Sequence, residues 1–360
     1  MAFPTRTIMA PFAILVVVAL ATAGCTASDD RPGSRPSPSV PVSPGSPSPS
    51  VSLPTEPPLP SASAYPSVET LDREMARRGL RRVPPSEWNA LTFRVASFNL
   101  LGFTHTQGRN RRPGYAGSEV RLPRALRALG RSQFTVAGLQ EFQWPQVRQF
   151  RSLVGDRYGI YPGTSLGRAL SDNSIIWRTD VWEVVRTRTT RVPYFHGRRV
   201  RMPQVLLRDR QSGRLVWFAN FHNAANVFGD ATRWRDEAVA IEARLVRRLG
   251  SRGVPVIVTG DMNDKAAFAC PFTAQSGMHS ADGAVTRDGR CLLPPEVSID
   301  WIFGSSSVRF SSFSNDKRTK QLKITDHPLV TTTATLLGVE QRRGCEAKLS
   351  STGAVWYCRR

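Results

Sequence analysis

The chain has 360 residues, 40% of them hydrophobic, and a formal net charge of +21 at pH 7. This apolar fraction is enough to bury a core, which excludes a chain that is disordered throughout. The charge favours partners rich in phosphate, such as nucleic acid, anionic lipid or teichoic-type polymers. Because only five of the 49 basic residues are lysine, GC-rich coding also explains the arginine excess, and both explanations stay open.

The first predicted element is an export signal over residues 1–25. Arg6 supplies positive charge, and the apolar run from Ala10 to Ala23 is too short for a comfortable transmembrane helix. The small residues that end this run, just before Cys25, resemble the lipobox of bacterial lipoproteins. We therefore predict a lipidated Cys25 that tethers the protein to the extracellular face of the cell membrane, with ordinary secretion as the alternative.

Residues 26–67 form the next segment, which is rich in serine and proline and poor in bulky apolar residues. Such a segment cannot bury a core, and proline favours extended conformations, so we predict a disordered, semi-rigid linker. Residues 68–91 follow as a lead-in to the folded domain. A short helical pattern in this lead-in is formed by Leu71, Met75 and Leu80.

From residue 92 to residue 338 the sequence alternates short strands with helices, which indicates one α/β domain. The clearest helix, 232–249, has apolar residues at helical spacing. The other predicted elements are a helix at 121–129 and strands at 93–99, 135–139, 174–177, 182–187, 204–208, 214–222, 254–259, 298–303, 308–313 and 329–336. Residues 339–360 are a C-terminal tail.

Four cysteines besides Cys25 suit two disulfides in an exported protein. Pairing Cys270 with Cys291, and Cys345 with Cys358, closes short loops at small entropic cost, although other connectivities exist. The first bridge is expected to brace a loop of the domain. The second is expected to close a hairpin-like tail.

Polar residues gather at the ends of the apolar strands, where a rigid edge presents them to a cleft. In chain order they are Asn99, Glu141, His222, Asn223, Asp261, Asn263, Asp300, Asp326 and His327. Asn, Asp and Glu offer oxygen ligands to a hard divalent cation, and Asp or His can deprotonate water. We recognise neither a Ser or Cys nucleophile nor zinc-type Cys/His spacing, so the pattern favours metal-assisted hydrolysis of a phosphate ester.

These residues lie in six ordered motifs, namely SFNLLG, GLQEF, NFHN, GDMND, IDWIF and TDHP. From about Phe93 to Leu336 the sequence resembles the endonuclease/exonuclease/phosphatase (deoxyribonuclease I-like) superfamily, and GDMND and TDHP are its most specific motifs here. The resemblance implies a four-layer α/β/β/α sandwich, in which two mixed β-sheets pack together and are flanked by helices. Nothing in the sequence indicates an oligomer, so a monomer is expected.

The resemblance also implies a metal site. Glu141 matches the principal Mg²⁺ ligand of the superfamily, and Asn99 and Asp326 match residues that lie beside this metal. Mn²⁺ and Ca²⁺ are alternatives to Mg²⁺, because the same oxygen ligands suit all three ions.

The remaining catalytic roles are likewise implied by the resemblance. Asp261 and His327 match groups that share the activation of water and the acid/base chemistry, and Asp300 matches the carboxylate that orients the histidine. Asn263 matches the contact to the scissile phosphate. His222 matches the second histidine of the nuclease-like branch, whose usual glutamate partner is absent here.

The leading prediction is a surface-tethered, divalent-metal-dependent phosphodiester hydrolase that acts on nucleic acid. One alternative is a phospholipid or inositol-phosphate hydrolase of the same superfamily, similar to sphingomyelinases, although no Trp/Phe-rich hairpin is evident. The other is a non-catalytic module that binds anionic polymers, and the complete motif set argues against it. Two groups of arginines, within 109–112 and 198–201, can grip further phosphates or form a solvated surface.

Overall fold

The computed structural model describes residues 65–109 and 111–359. The predicted export signal, Cys25 and nearly all of the linker lie outside these residues. The described helices are α1 Val68–Arg77, α2 Ser118–Arg131, α3 Trp144–Val154, α4 Thr232–Gly250, α5 Ala266–Ser276 and α6 Arg318–Gln321. Among these helices, none is long and apolar enough to cross a membrane.

Three sheets contain the strands of the described chain. The strands are β1 Leu80–Val83, β2 Leu91–Asn99, β3 Val136–Gln140, β4 Tyr158–Tyr161, β5 Ser174–Arg178, β6 Trp182–Pro193, β7 Arg199–Asp209, β8 Leu215–His222, β9 Val256–Asp261, β10 His279–Ser280, β11 Val285–Arg287, β12 Arg290–Leu292, β13 Asp300–Gly304, β14 Val308–Asp316, β15 Leu329–Leu336, β16 Cys345–Ser350 and β17 Gly353–Arg359. The six-stranded sheet has the order β14-β15-β2-β3-β5-β4, and the eight-stranded sheet has the order β12-β11-β10-β13-β9-β8-β7-β6. A small third sheet, β1-β17-β16, joins the lead-in to the tail.

The two large sheets pack face to face, as strand β8 illustrates. Its residues Val216 and Phe218 are buried in the core between the sheets. Trp217, Ala219 and Phe221 point to the other side of the strand, into the core beneath helices α4 and α5. Helices α2 and α3 share a third core with the outer face of the six-stranded sheet. The predicted four-layer α/β/β/α sandwich is therefore confirmed.

Strand direction brings the polar motifs to one edge of both sheets. The parallel pair β2 and β3 ends with Asn99 opposite Gln140, and the parallel pair β8 and β9 ends with His222 opposite Asp261. Strand β13 is antiparallel to β9 and begins with Asp300 opposite Asp261. Strand β15 is antiparallel to β2, so the segment just before it reaches this edge as well.

The lead-in differs from its prediction. Helix α1 ends at Arg77, and Leu80 belongs to β1, where it pairs with Arg359 of β17. The helical assignment of Leu80 was therefore wrong, although Leu80 is buried beside Leu71 and Met75 as the apolar pattern requires. Pairing with a strand more than 270 residues away in the sequence determines the conformation of Leu80, in spite of the helical spacing of the local apolar residues.

Both predicted disulfides are present, Cys270–Cys291 and Cys345–Cys358. The first joins α5 to β12, and the second joins the two strands of the C-terminal hairpin. The sequence separation of the first pair is 21 residues, so its removal frees a loop of that length in the unfolded chain.

Replacing Cys270 and Cys291 together by serine should lower the free energy of unfolding by about 3 kcal/mol, because the unfolded chain gains loop entropy. Urea denaturation of the oxidised wild type and of the double variant measures this loss. A Cys345→Ser/Cys358→Ser variant provides the comparison, and it should lose slightly less stability because it opens a shorter loop of 13 residues. An unchanged denaturation midpoint would contradict the stabilising role of the first bridge.

Candidate active site

Asn99 lies at the centre of the polar edge and joins carboxylates from the two sheets. Its side-chain nitrogen donates to Glu141 Oε1 and to Asp261 Oδ2, each at 3.0 Å. Its Oδ1 accepts a hydrogen bond from the Leu101 amide at 3.0 Å, which fixes the orientation of the buried side chain. In this arrangement Asn99 orients the two carboxylates, while its own oxygen is already engaged.

Two residues of the site have left-handed backbone conformations. Glu141 has a φ angle of 54° and Asn263 one of 49°, in the left-handed region that is uncommon for residues other than glycine. Hydrogen bonds hold both in place: Gly102 N donates to Glu141 Oε2 at 2.8 Å, and Asn263 N donates to Asp261 Oδ1 at 3.0 Å. The Asn263 side chain also donates to the Asn223 carbonyl at 2.9 Å. Tight turns after β3 and β9 thus aim these side chains at the cleft.

His327 lies between two aspartates. Its Nδ1 is 3.0 Å from both carboxylate oxygens of Asp300, and its Nε2 is 3.5 Å from Asp261 Oδ2. Burial lowers the pKa of His327, but the negative charges of Asp261 and Asp300, together with the hydrogen bond that His327 donates to Asp300, raise it to about 9. The imidazole is therefore protonated at neutral pH, in the form that donates hydrogen bonds to a phosphate.

His222, at the end of β8, faces the same carboxylate from the other side. Its Nε2 is 3.7 Å from Asp261 Oδ2, and the ring of Tyr194 stands edge-on at 5.7 Å between centroids. Burial raises the pKa of Asp172, and the nearby His222 has a smaller, opposite effect on it. Within the described residues, no hydrogen bond joins His222 to Asp172 or Asn173. Asp172 is thus close to His222, but it does not form the hydrogen bond that the missing glutamate would provide.

The loop after β2 provides two basic side chains that sequence analysis did not assign to the metal site. His105 Nε2 is 3.2 Å from Glu141 Oε2, and Arg112 forms an ion pair with Asp326. Burial raises the pKa of Glu141, but the hydrogen bond from His105 and the charge of His222 outweigh it and hold this pKa far below its usual range. No recurring motif surrounds His105, so only its closeness to Asn99 in the sequence pointed to the site.

The donor set fits a divalent cation. Glu141, Asp326 and Asp261 offer hard oxygen ligands, and the basic partners of the first two are half-exposed loop side chains, which a cation can displace. Asp261, Asp300 and His327 also offer ligand atoms that lie within 4.8 Å of one another. Because His327 and Asp300 already satisfy each other by hydrogen bonding, the Glu141 side of the site is the better position for a metal.

The sequence model of the Endonuclease/Exonuclease/phosphatase family matches residues 96–327. The chain belongs to this family. The match extends from β2 to His327 and thus contains every polar residue of the site described above. Enzymes of the Endonuclease/Exonuclease/phosphatase family hydrolyse phosphoesters and generally use divalent metals. No curated protein matches the chain by sequence.

Solved structures of the same fold are similar to this chain at low identity. The human Nocturnin catalytic domain with bound sulfate is 17% identical, with a TM-score of 0.53, and the alignment covers 71% of this chain and 96% of that one. A Bacteroides thetaiotaomicron protein of the Endonuclease/Exonuclease/phosphatase family is 18% identical, with a TM-score of 0.52 and coverage of 69% and 99%. ANGEL2, a 2′,3′-cyclic phosphatase, is 13% identical, with a TM-score of 0.52 and coverage of 71% and 98%. Identities this low establish the shared fold alone.

Proposed function

We propose that the chain is a Mg²⁺-dependent phosphodiester hydrolase that acts on nucleic acid and is tethered outside the cell through a lipidated Cys25. The observation that carries this proposal is the continuous polar array Glu141–Asn99–Asp261–His327–Asp300 at one edge of the two sheets. A protein that only binds anions needs cations or amides, and it does not need this group of converging carboxylates. The array therefore favours hydrolysis over simple binding.

The residues have complementary tasks in this mechanism. Asp261, oriented by Asn99 and by the Asn263 amide, is placed to accept a proton from the attacking water. Protonated His327, fixed by Asp300, donates to a phosphate oxygen, and Asn263 has a second amide hydrogen for the same purpose. Each group is already positioned before the substrate binds.

Glu141 and Asp326 are the residues that would hold the cation, while Asn99 keeps the Glu141 carboxylate in place. When bound, a divalent cation supplies positive charge that polarises the phosphate and stabilises the charge developing on it. The left-handed backbone of Glu141 directs its carboxylate into the cleft, where the neighbouring His105 Nε2 lies 3.2 Å from Glu141 Oε2.

A substrate panel tests the proposed activity. The purified full-length chain, with its disulfides intact, is incubated with plasmid DNA, RNA, sphingomyelin and a bis-aryl phosphodiester, each with Mg²⁺ and with chelator. We expect metal-dependent cleavage of nucleic acid that weakens as salt screens the phosphate contacts. Absence of metal-dependent cleavage of every substrate would refute the enzyme assignment.

Phospholipid hydrolysis is the second candidate, and one observation favours it. Val227 and Phe228, on the loop after β8, are 67% and 66% exposed beside the tip of the β6–β7 hairpin. This apolar surface was not evident in the sequence, because it combines two distant segments. Release of phosphocholine from sphingomyelin without nicking of DNA would support this candidate over the nuclease.

Replacing Cys25 by serine tests the tether. The wild-type chain is expected in the membrane fraction, because an acyl chain on Cys25 contributes binding energy for every buried methylene. The Cys25→Ser variant should accumulate in the medium with unchanged specific activity. Recovery of both proteins in the soluble fraction would contradict lipidation.

A further inference from the structure

A row of aromatic rings leads from the candidate active site to the surface. The ring centroids of His222 and Tyr194 are 5.7 Å apart, those of Tyr194 and Phe195 are 4.3 Å apart, and those of Phe195 and Phe228 are 4.9 Å apart. His222 is buried against Asp261, whereas Phe228 is 66% exposed. The row therefore begins beside the reacting groups and ends in solvent.

The hairpin tip that carries Tyr194 and Phe195 is held firmly in place. Gly197, in the left-handed conformation at a φ of +75°, packs so closely on Trp234 of α4 that a Cβ atom would lie 2.6 Å from its ring. Arg233 covers Trp234, with its guanidinium carbon 3.9 Å from the ring centroid. A fixed aromatic surface loses little entropy when it binds a flat ligand, which suits it to recognition.

Arg198 gives this surface a positive charge. Its carbonyl accepts a hydrogen bond from Tyr194 N at 2.8 Å, which places it directly beside the aromatic row. Among the described residues no acidic side chain pairs with Arg198, whereas the neighbouring Arg199 pairs with Glu237. An exposed, unpaired guanidinium next to a phosphate-processing site is suited to bind a further phosphate.

We propose that Phe195, Phe228 and Arg198 form a subsite for the nucleotide adjacent to the scissile phosphate, with the rings stacking on its base and Arg198 binding its outer phosphate. This subsite rests on the proposed nuclease function. Aromatic side chains can stack on every base. A strand carries further phosphates next to the scissile phosphate, and a positively charged side chain is suited to bind one of them. An acyl chain would use Phe228 but has no need of the polar rings of Tyr194 and His222.

The test compares an ordinary oligonucleotide with one that has abasic sites flanking the cleaved phosphate. In the full-length chain, Phe228→Ala and Phe228→Leu should each lower kcat/KM on the ordinary strand by roughly tenfold, as expected for one lost stacking contact. The same variants should cleave the abasic strand as the wild type does. Arg198→Ala should weaken the binding of both strands. The dependence of affinity on salt concentration should fall by the amount expected for about one phosphate contact.

The outcomes distinguish failure of the proposed nuclease function from failure of the subsite. If the wild type cleaves neither strand, the proposed function itself fails. If the wild type cleaves both strands equally and the Phe228 variants match it, the subsite alone is refuted. If Phe228→Leu keeps full activity while Phe228→Ala loses binding to anionic vesicles, the surface contacts lipid instead. Leu349→Ala, at an exposed apolar residue of β16, is the matched control and should change nothing.

A second inference rests on a separate pair of fully buried side chains behind the site. Asn223 follows β8, and its side-chain nitrogen lies 3.5 Å from Glu242 Oε2 on α4. Asn223 Oδ1 and Glu242 Oε1 are both buried without a hydrogen-bond partner. The Asn223 carbonyl accepts the side-chain hydrogen bond of Asn263, so this pair supports a residue of the site.

A proton on Glu242 would satisfy both orphaned atoms, because the acid could then donate to Asn223 Oδ1 while it accepts from the same amide. Burial raises the pKa of Glu242 to about 8, with the hydrogen bond from Asn223 as the opposing effect, which favours the protonated acid below that pH. We infer that Glu242 is a positioning residue whose acid–amide pair with Asn223 holds Asn263 in its left-handed conformation.

Replacement by glutamine and by leucine separates positioning from packing. Glu242→Gln keeps an equivalent two-bond pair and should leave kcat within about twofold, whereas Glu242→Leu should lower kcat by roughly tenfold with a smaller effect on KM. Because the folded-state pKa is raised, the stability contributed by the protonated Glu242 is fully present below about pH 4.5 and is lost as pH rises through about 8. The melting temperature of Glu242→Gln should lack this decline.

The stability profile keeps the inference testable if the leucine variant fails to fold. Parallel melting curves for the wild type and Glu242→Gln between about pH 5 and 9 would contradict a neutral buried acid. Equal loss of kcat in the glutamine and leucine variants would contradict the positioning role, because glutamine preserves the pair with Asn223.

Discussion

Replacing His327 by alanine should lower kcat for nucleic acid by roughly 10²- to 10⁴-fold, the range typical for loss of a positioned proton donor. The imidazole lies within 3.5 Å of carboxylates from two strands and is protonated at neutral pH. Its removal takes away the donor to the phosphate and leaves Asp261 and Asp300 facing each other without a cation. Initial rates at saturating Mg²⁺, together with thermal melting, measure both consequences.

Asp300→Asn is the companion variant, and we expect it to shift the pH–rate profile in a defined direction. The carboxylate of Asp300 helps to raise the pKa of His327 to about 9, so its loss lowers this pKa. The alkaline limb of the pH–rate profile should therefore move to lower pH. The raised pKa also stabilises the wild-type fold below about pH 6.5, and this stabilisation disappears as pH rises through about 9.

A histidine outside the site provides the control for these variants. His279 lies on β10 and packs against Phe310 at 5.5 Å between ring centroids. His279→Ala should keep the rate of the wild type. Comparable losses in the His279 and His327 variants would indicate general damage to the fold and would contradict a specific role for His327.

The second large effect is expected at Glu141. Glu141→Gln retains the size of the side chain and its hydrogen bond from Gly102, but removes the negative charge that a divalent cation requires. We expect roughly a 10²-fold or greater loss of kcat, as for removal of charge stabilisation in the transition state. We also expect loss of the rise in melting temperature that Mg²⁺ produces in the wild type.

A second variant tests the same metal site, because His105 is the basic partner of Glu141 in the structure. His105→Ala removes a side chain that competes for the Glu141 carboxylate, and it should increase the affinity for Mg²⁺ measured by thermal shift. Glu340→Gln, at an exposed residue far along the chain, is the matched charge control. Equal stabilisation by Mg²⁺ in the wild type and in Glu141→Gln would exclude Glu141 as a principal ligand.

Much of the central fold follows from local sequence. The strand predicted at 329–336 has the same bounds in the structure, and that predicted at 93–99 is extended by two residues to Leu91–Asn99. Apolar β-branched and aromatic residues made these buried strands recognisable. The position of the polar motifs at strand ends, together with the family resemblance, then predicted that Asn99, Asp261 and His327 lie at one cleft.

Of the three helices that were not predicted, α3, α5 and the short α6, the first two were missed for identifiable reasons. Helix α5 is apolar all round and contains Pro271, so it shows no amphipathic period even though Phe268 and Phe272 are buried. Helix α3 begins with an aromatic residue and a proline, and its capping by the side chains of Gln143 and Gln146 resembles no simple Ser or Asp signal. Both helices are stabilised by burial against a sheet, and this burial exists only in the folded chain.

The contacts that connect distant segments were equally inaccessible from the sequence. The partnership of His105 with Glu141 depends on the path of a loop, and the aromatic row combines a hairpin tip with Phe228 of the loop after β8. Glu242 looked like an ordinary charged helix residue, yet its side chain is fully buried. Motifs identify residues that chemistry requires, whereas the residues that support them emerge only from packing.

Nicking of supercoiled plasmid by the full-length chain, with Mg²⁺ or chelator, is the decisive measurement of metal-dependent hydrolysis at this site. We expect nicking by the wild type with Mg²⁺, none with chelator, and a rate for His327→Ala that is lower by roughly 10²-fold or more. Nicking that persists in chelator, or that His327→Ala performs at the wild-type rate, would contradict metal-dependent catalysis at the His327 site.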